Sequence, residues 1–255
     1  MAERYKLIGC EVLFREACLC AAESKNIIDP EFLTKGLHDM GETRMSESLQ
    51  KVIDQVDPDK YDAILLCYGL CNNGVSGLRA RVPMVIPKAH DCITLFLGSK
   101  EKYTDYFHNN PGAFFHTSGW LERGLNGADG DEALMTQLGI RYGDDYDQYA
   151  EEYGEENAAY IMEIFGDWTK NYKKFTYINT GVGDAAAYEA RSQAEAQERG
   201  WEYERIQGDI RLIRALIDGD WNEDDFLVVP PGHEIAASFD EAVMCHRAVT
   251  EDGAR

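Results

Sequence analysis

Three short apolar runs each end on a cysteine, and this constrains the fold more than any other feature of the chain. They are Tyr5-Lys6-Leu7-Ile8-Gly9-Cys10, the run from Tyr61 to Cys67, and the run from Val82 to Ile86 that leads through His90 and Asp91 to Cys92. Runs of this length bounded by turn residues read as buried strands. The middle one breaks into Tyr68-Gly69-Leu70-Cys71-Asn72-Asn73-Gly74, residues that tolerate a positive φ. Ligands of open α/β sheets collect outside the carboxyl ends of the strands. The pattern therefore predicts several thiols on one rim.

Helical text separates these strands. Residues 14–25 have helix-forming composition, and Met45, Leu49, Val52, Ile53 and Val56 fall at helical spacing over 43–56, with Thr43 as the expected cap. A strand is expected at 26–33, with Pro30 at an edge or a bulge, then a helix from Ile93 to Phe107 and a short strand with its exit loop at 112–120. Alternating β and α text resumes after Tyr172: strands at 174–181, 201–206 and 225–230, and helices at 184–200 and 210–218. Asp184 caps the first of these helices and Gly200 closes it. The expected fold is α/β, with two Rossmann-like parallel-sheet lobes joined by an acidic helical connector. The expected units are residues 1–120, 121–172 and 173–255.

Charge narrows the partners. The net charge is -21, and from Asp129 to Asp167 twelve acidic residues face only Arg141. Such a surface repels nucleic acid and anionic membranes. The acidic stretch reads first as a solvated helical face and second as a docking surface for a basic partner. No stretch approaches the ~18 apolar residues of a membrane span, and Met1 to Tyr5 runs straight into a strand, so the expected compartment is the cytoplasm. Seven cysteines in a reducing compartment are thiols, metal ligands or nucleophiles rather than a disulfide framework.

The candidate metal ligands are Cys10, Cys67, Cys71 and Cys92. Thiolates select iron–sulfur clusters, zinc or copper(I) over magnesium or calcium. An iron–sulfur cluster is the favoured cofactor, with zinc the alternative. Three ligands would leave a position open for substrate, and four would close the site. The competing reading is buried cysteines packing as small hydrophobes. Cys18 and Cys20, two apart on a helix, cannot both face such a site, and Cys245 reads as structural.

His90 is a candidate ligand or catalytic group, with Asp91 fixing its tautomer. His38, His116 and His233 also follow apolar runs and are expected near the same rim. His233 and Glu234, in a Pro-Gly-His-Glu turn, form a candidate acid–base pair. Thr180, Gly181 and Gly183 precede a helix N-terminus and could cradle an anion, although an ordinary β-α turn is the simpler reading. Arg79 and Arg81 could clamp a carboxylate or phosphate, or pair with the acidic surface.

The run Leu66 to Gly74, with His90-Asp91-Cys92-Ile93 and Leu97-Gly98-Ser99, resembles a domain-of-unknown-function family of anaerobic bacteria and methanogenic archaea. That family is associated with gene neighbourhoods for corrinoid-dependent methyl transfer. The resemblance implies a metal-binding role in one-carbon metabolism, with a corrinoid protein or methyltransferase as partner. Asp-x-His-x-x-Gly is absent, since His38-Asp39 and His90-Asp91 reverse the order, so a corrinoid is expected through a partner. The rival functions are a metal-independent small-molecule transferase or hydrolase using His233 and Glu234, and a docking protein without catalytic activity.

Overall fold

The computed structural model describes residues 2–123, 172–238 and 242–249. The first sheet has the order β2-β1-β3-β4-β8. It is built from β1 (Arg4–Cys10), β2 (Ile27–Leu33), β3 (Ala63–Cys67), β4 (Met84–Pro87) and β8 (Phe226–Val229). The first four strands are parallel, and β8 runs antiparallel beside β4. Pro30 sits in β2 on the sheet's edge, where its missing N–H breaks no ladder. Chain order runs from β1 outward to β2 and then to β3 on β1's other side. The carboxyl ends of β1 and β3 therefore flank a topological switch point.

A second, parallel sheet has the order β5-β6-β7, from β5 (Ala113–Thr117), β6 (Lys174–Asn179) and β7 (Glu202–Gln207). The strands do not divide between the sheets as 1–120 and 173–255. β5 leaves the first section to pair with β6, and β8 returns from the last section to pair with β4. Helix α1 (Phe14–Glu23) packs against α7 (Arg211–Asp218), which also reaches β3 and β4. One continuous core joins Leu7, Leu65 and Val85 of the first sheet to Leu212, Ile178 and Trp120. The connector expected over 121–172 lies outside the described residues except at its ends, where Leu121 belongs to α5 (Ser118–Arg123).

Helix α2 (Gly41–Asp54) continues directly from a 3-10 turn at Lys35–Met40, so it starts before the expected Thr43 cap. Ile93 to Phe107 forms two helices, α3 (Cys92–Leu97) and α4 (Lys100–Asn109). Gly98 closes the first in the left-handed conformation, φ 74°, and Ser99 caps the second by accepting from the Lys102 N–H. The helix after β6, α6 (Ala185–Arg199), has the expected Asp184 and Gly200 ends. Beyond β8 stands an unexpected antiparallel pair, β9 (His233–Ala237) and β10 (Met244–Ala248). Among the described residues no helix is long and apolar enough to cross a membrane.

Candidate functional site

The site begins where β1 and β3 end. Cys10 is the last residue of β1 and is buried. Its Sγ lies 3.8 Å from Nε2 of His38, carried by the 3-10 turn before α2. After β3 the chain turns through Cys71, Asn72 and Asn73, with φ of 48°, 53° and 65°. Successive left-handed residues are costly, least so for Asn, and such strain concentrates at functional sites. The turn is held by Leu70 N–H donating to Ala89 O at 2.8 Å and Cys71 N–H to His90 O at 2.9 Å. Gly69 is required there, because a Cβ would stand 2.7 Å from the Asp91 backbone. That close approach sets the Cys71 turn against His90 and Asp91, the residues that lead into α3.

Cys92 Sγ accepts a hydrogen bond from Trp120 Nε1 at 3.2 Å. Trp120 in turn sits 6.4 Å, ring to ring, from His38 and lies under the Lys35 ammonium at 5.3 Å. Trp120 reaches this position because α5 packs its Gly119 directly on the Val12 backbone, just past Cys10. The ends of both sheets thus supply the site.

Burial dominates its electrostatics. It pushes the Cys10 thiol up to about 12, with Val12's backbone hydrogen bond and the Lys35 charge pulling the other way. Burial also raises Cys71, and the charge of Cys10 adds to it. Cys92 is raised by burial and then by Asp91, Cys71 and Cys10. These three thiols therefore lie within one another's electrostatic reach. Burial pulls His38 down to about 4, leaving a neutral imidazole at pH 7. Buried thiols are protonated unless a cation joins them, and a soft cation is what three thiols and an imidazole suit. Among the described residues no three His, Cys, Asp or Glu side chains already stand in metal-holding geometry.

Cys67 stands apart. It pairs in register with Gly9, so the pleat places it on the Gly9 face and Cys10 on the other. A Cβ on Gly9 would meet Cys67 Cβ at 3.2 Å, and burial raises the Cys67 thiol, with Cys20 of α1 acting on it before Cys10 does.

The remaining candidates are placed elsewhere. His90 is exposed, its ring 6.3 Å from that of Tyr103. Asp91 does not orient it: one carboxylate oxygen accepts from Ile93 and Thr94 N–H as the cap of α3, and the other from Tyr103 Oη at 3.0 Å. His116 is buried against Phe175, with Nδ1 bonded to Ser192 Oγ at 2.9 Å. His233 and Glu234 belong to β9, where the ring of His233 meets that of His246 and Glu234 accepts from Arg247 at 2.7 Å. Arg79 is exposed, its backbone bonded to the Gln50 side chain and bridged to Glu234. Arg81 donates to the Asp54 and Val56 carbonyls at the end of α2. Thr180 Oγ1 donates to Glu16 at 2.8 Å, Gly181 N–H donates to Asn179 Oδ1 at 2.8 Å, and a Cβ on Gly183 would meet Arg15 at 2.9 Å. The β6–α6 turn is thus engaged with α1.

Residues 32–217 match the family described as "Protein of unknown function (DUF1638)". The chain belongs to the DUF1638 family. The matched segment carries His38, Cys71, Cys92 and Trp120; Cys10 and the β9–β10 pair lie outside it. No curated protein and no solved structure matches the chain.

Proposed function

We propose that the protein holds a soft metal centre through Cys10, Cys71, Cys92 and His38, and that this centre serves corrinoid-linked methyl transfer in the cytoplasm. What supports the reading is the pairing of the buried Cys10 thiol with the neutral His38 imidazole at the switch point of the first sheet, with half-buried Cys71 and buried Cys92 carried by the turns nearby. The 3.8 Å between Cys10 Sγ and His38 Nε2 suits two ligands of one ion. Zinc bonds of about 2.3 Å to sulfur and 2.0 Å to nitrogen, set tetrahedrally, put the two atoms about 3.5 Å apart. Trp120 supplies the outer-shell donor that a ligating sulfur uses. Cys67 is left out because it faces α1.

Four protein donors close the site, so the centre transfers electrons if it is an iron–sulfur cluster and is structural if it is zinc. Either suits an accessory that reactivates or docks a corrinoid protein better than an enzyme that binds a methyl acceptor on the metal. The methyl-transfer setting rests on the resemblance of residues 66–99. The test is metal and sulfide analysis of protein purified without oxygen, beside Cys71→Ala and Cys67→Ala. The wild type and Cys67→Ala should carry metal, and Cys71→Ala should lose it. A wild type without metal, its buried thiols all titratable on unfolding, would rule the centre out.

A further inference from the structure

Tyr68 follows Cys67 directly and is one of the largest fully buried side chains in the protein. Its phenol lies within electrostatic reach of Cys10, Cys71, Cys67 and Glu11. Yet its hydroxyl is buried without a hydrogen-bond partner. An unpaired buried hydroxyl costs about 1–3 kcal/mol, and the great majority of such groups in native folds are paired with protein or ordered water. Phenylalanine would fill the same volume without that cost. The hydroxyl therefore has a partner that the polypeptide alone does not provide.

The thiols around it offer such a partner. A protonated thiol is a weak acceptor. When a metal displaces the proton, the sulfur becomes an anion, and hydrogen bonds to charged acceptors are roughly twice as strong as neutral ones. Trp120 already donates to Cys92 from the α5 side. We propose that the Tyr68 hydroxyl is the matching donor on the β3 side: it hydrogen-bonds a ligating sulfur of Cys10 or Cys71 once metal is bound. Tyr68 is thus a positioning residue for the centre, and this inference rests on the metal reading above. No bond is made or broken in it beyond the thiol proton that the metal displaces to solvent.

The experiment compares full-length wild type with Tyr68→Phe, both freed of metal without oxygen and titrated with Co(II). The readouts are Co(II) affinity by chelator competition, the thiolate-to-cobalt charge-transfer band, and the melting temperature of the metal-free proteins. Outer-shell partners are typically worth 10–100-fold in metal affinity, so Tyr68→Phe should bind Co(II) at least about 10-fold more weakly and shift the band. Its metal-free form should melt at or above the wild-type temperature, because no bond is lost there. Unchanged affinity and band in Tyr68→Phe would mean that the hydroxyl meets only a water molecule, and would overturn the role while leaving the centre intact. A lower metal-free melting temperature would also overturn it, by showing the hydroxyl paired without metal. A wild type that takes up no Co(II) would sink the metal reading and this inference together.

Discussion

Gly119→Ala separates tertiary packing from local preference, because the two predict opposite signs. Within a helix such as α5, alanine is favoured over glycine by about 0.5–1 kcal/mol. In this fold, an added Cβ would collide with Val12 O and stand 2.8 Å from Val12 C. Side-chain carbons essentially never come within 3.0 Å, so backbone must move on one side. Neither side is a flexible side-chain tip: Val12 lies in the turn that follows Cys10, and α5 carries buried Trp120 and Leu121. Overpacking costs typically 1–3 kcal/mol and occasionally more, and here the clash is with backbone, so the net loss should be about 3 kcal/mol. For a chain of this size that is a fall in melting temperature of roughly 6–12 °C. Thermal unfolding by circular dichroism measures it. If the proposed centre is present, its metal affinity should fall too, since a shift of α5 disturbs the Trp120–Cys92 hydrogen bond. A variant that melts at or above wild type would refute the packing of α5 on the strand-end turn.

Asp91→Ala should lose about 1–3 kcal/mol of stability in urea unfolding, since it removes the α3 cap and the Tyr103 bond together; Asp91→Asn should keep most of it, and His90→Ala should change little. Burial holds His116 down to about 3, with the Arg191 and Arg199 charges adding to it. Between there and the unfolded value of about 6.5, the unfolded chain binds the extra proton, so His116 makes stability fall as pH drops, by about 1.4 kcal/mol per pH unit. Urea midpoints across that range should show a slope shallower by one proton in His116→Phe, and an unchanged slope would contradict the buried neutral ring.

Much of the fold could be read from the sequence because its parallel strands are short apolar runs with distinct ends. Pro30, Asp184 and Gly200 marked an edge, a cap and a stop for local physical reasons. The helix break at Gly98-Ser99 carried a local signal too, a left-handed closer followed by a cap, but the apolar text on both sides concealed it. Which sheet each strand joins was not legible. β5 and β8 are ordinary apolar runs, and nothing local says that one pairs with β6 and the other turns antiparallel beside β4. The thiols at strand ends were visible, but the face each occupies was not: Cys67 and Cys71 look equivalent in sequence, and only the register of Cys67 with Gly9 separates them. His38 was expected near this rim from the apolar run before it, whereas Trp120 was missed because it meets its thiol 28 residues away along the chain. His90 and Asp91 looked like a pair because they are adjacent, whereas Asp91 is taken up by the helix it starts.

X-ray absorption at the metal edge of protein purified without oxygen tests the centre most directly. For zinc, the account predicts three sulfur neighbours at about 2.3 Å and one nitrogen at about 2.0–2.1 Å, with the metal lost in Cys71→Ala and the shell unchanged in Cys67→Ala. A shell of oxygen and nitrogen alone, or one that loses a sulfur when Cys67 is replaced, would contradict it.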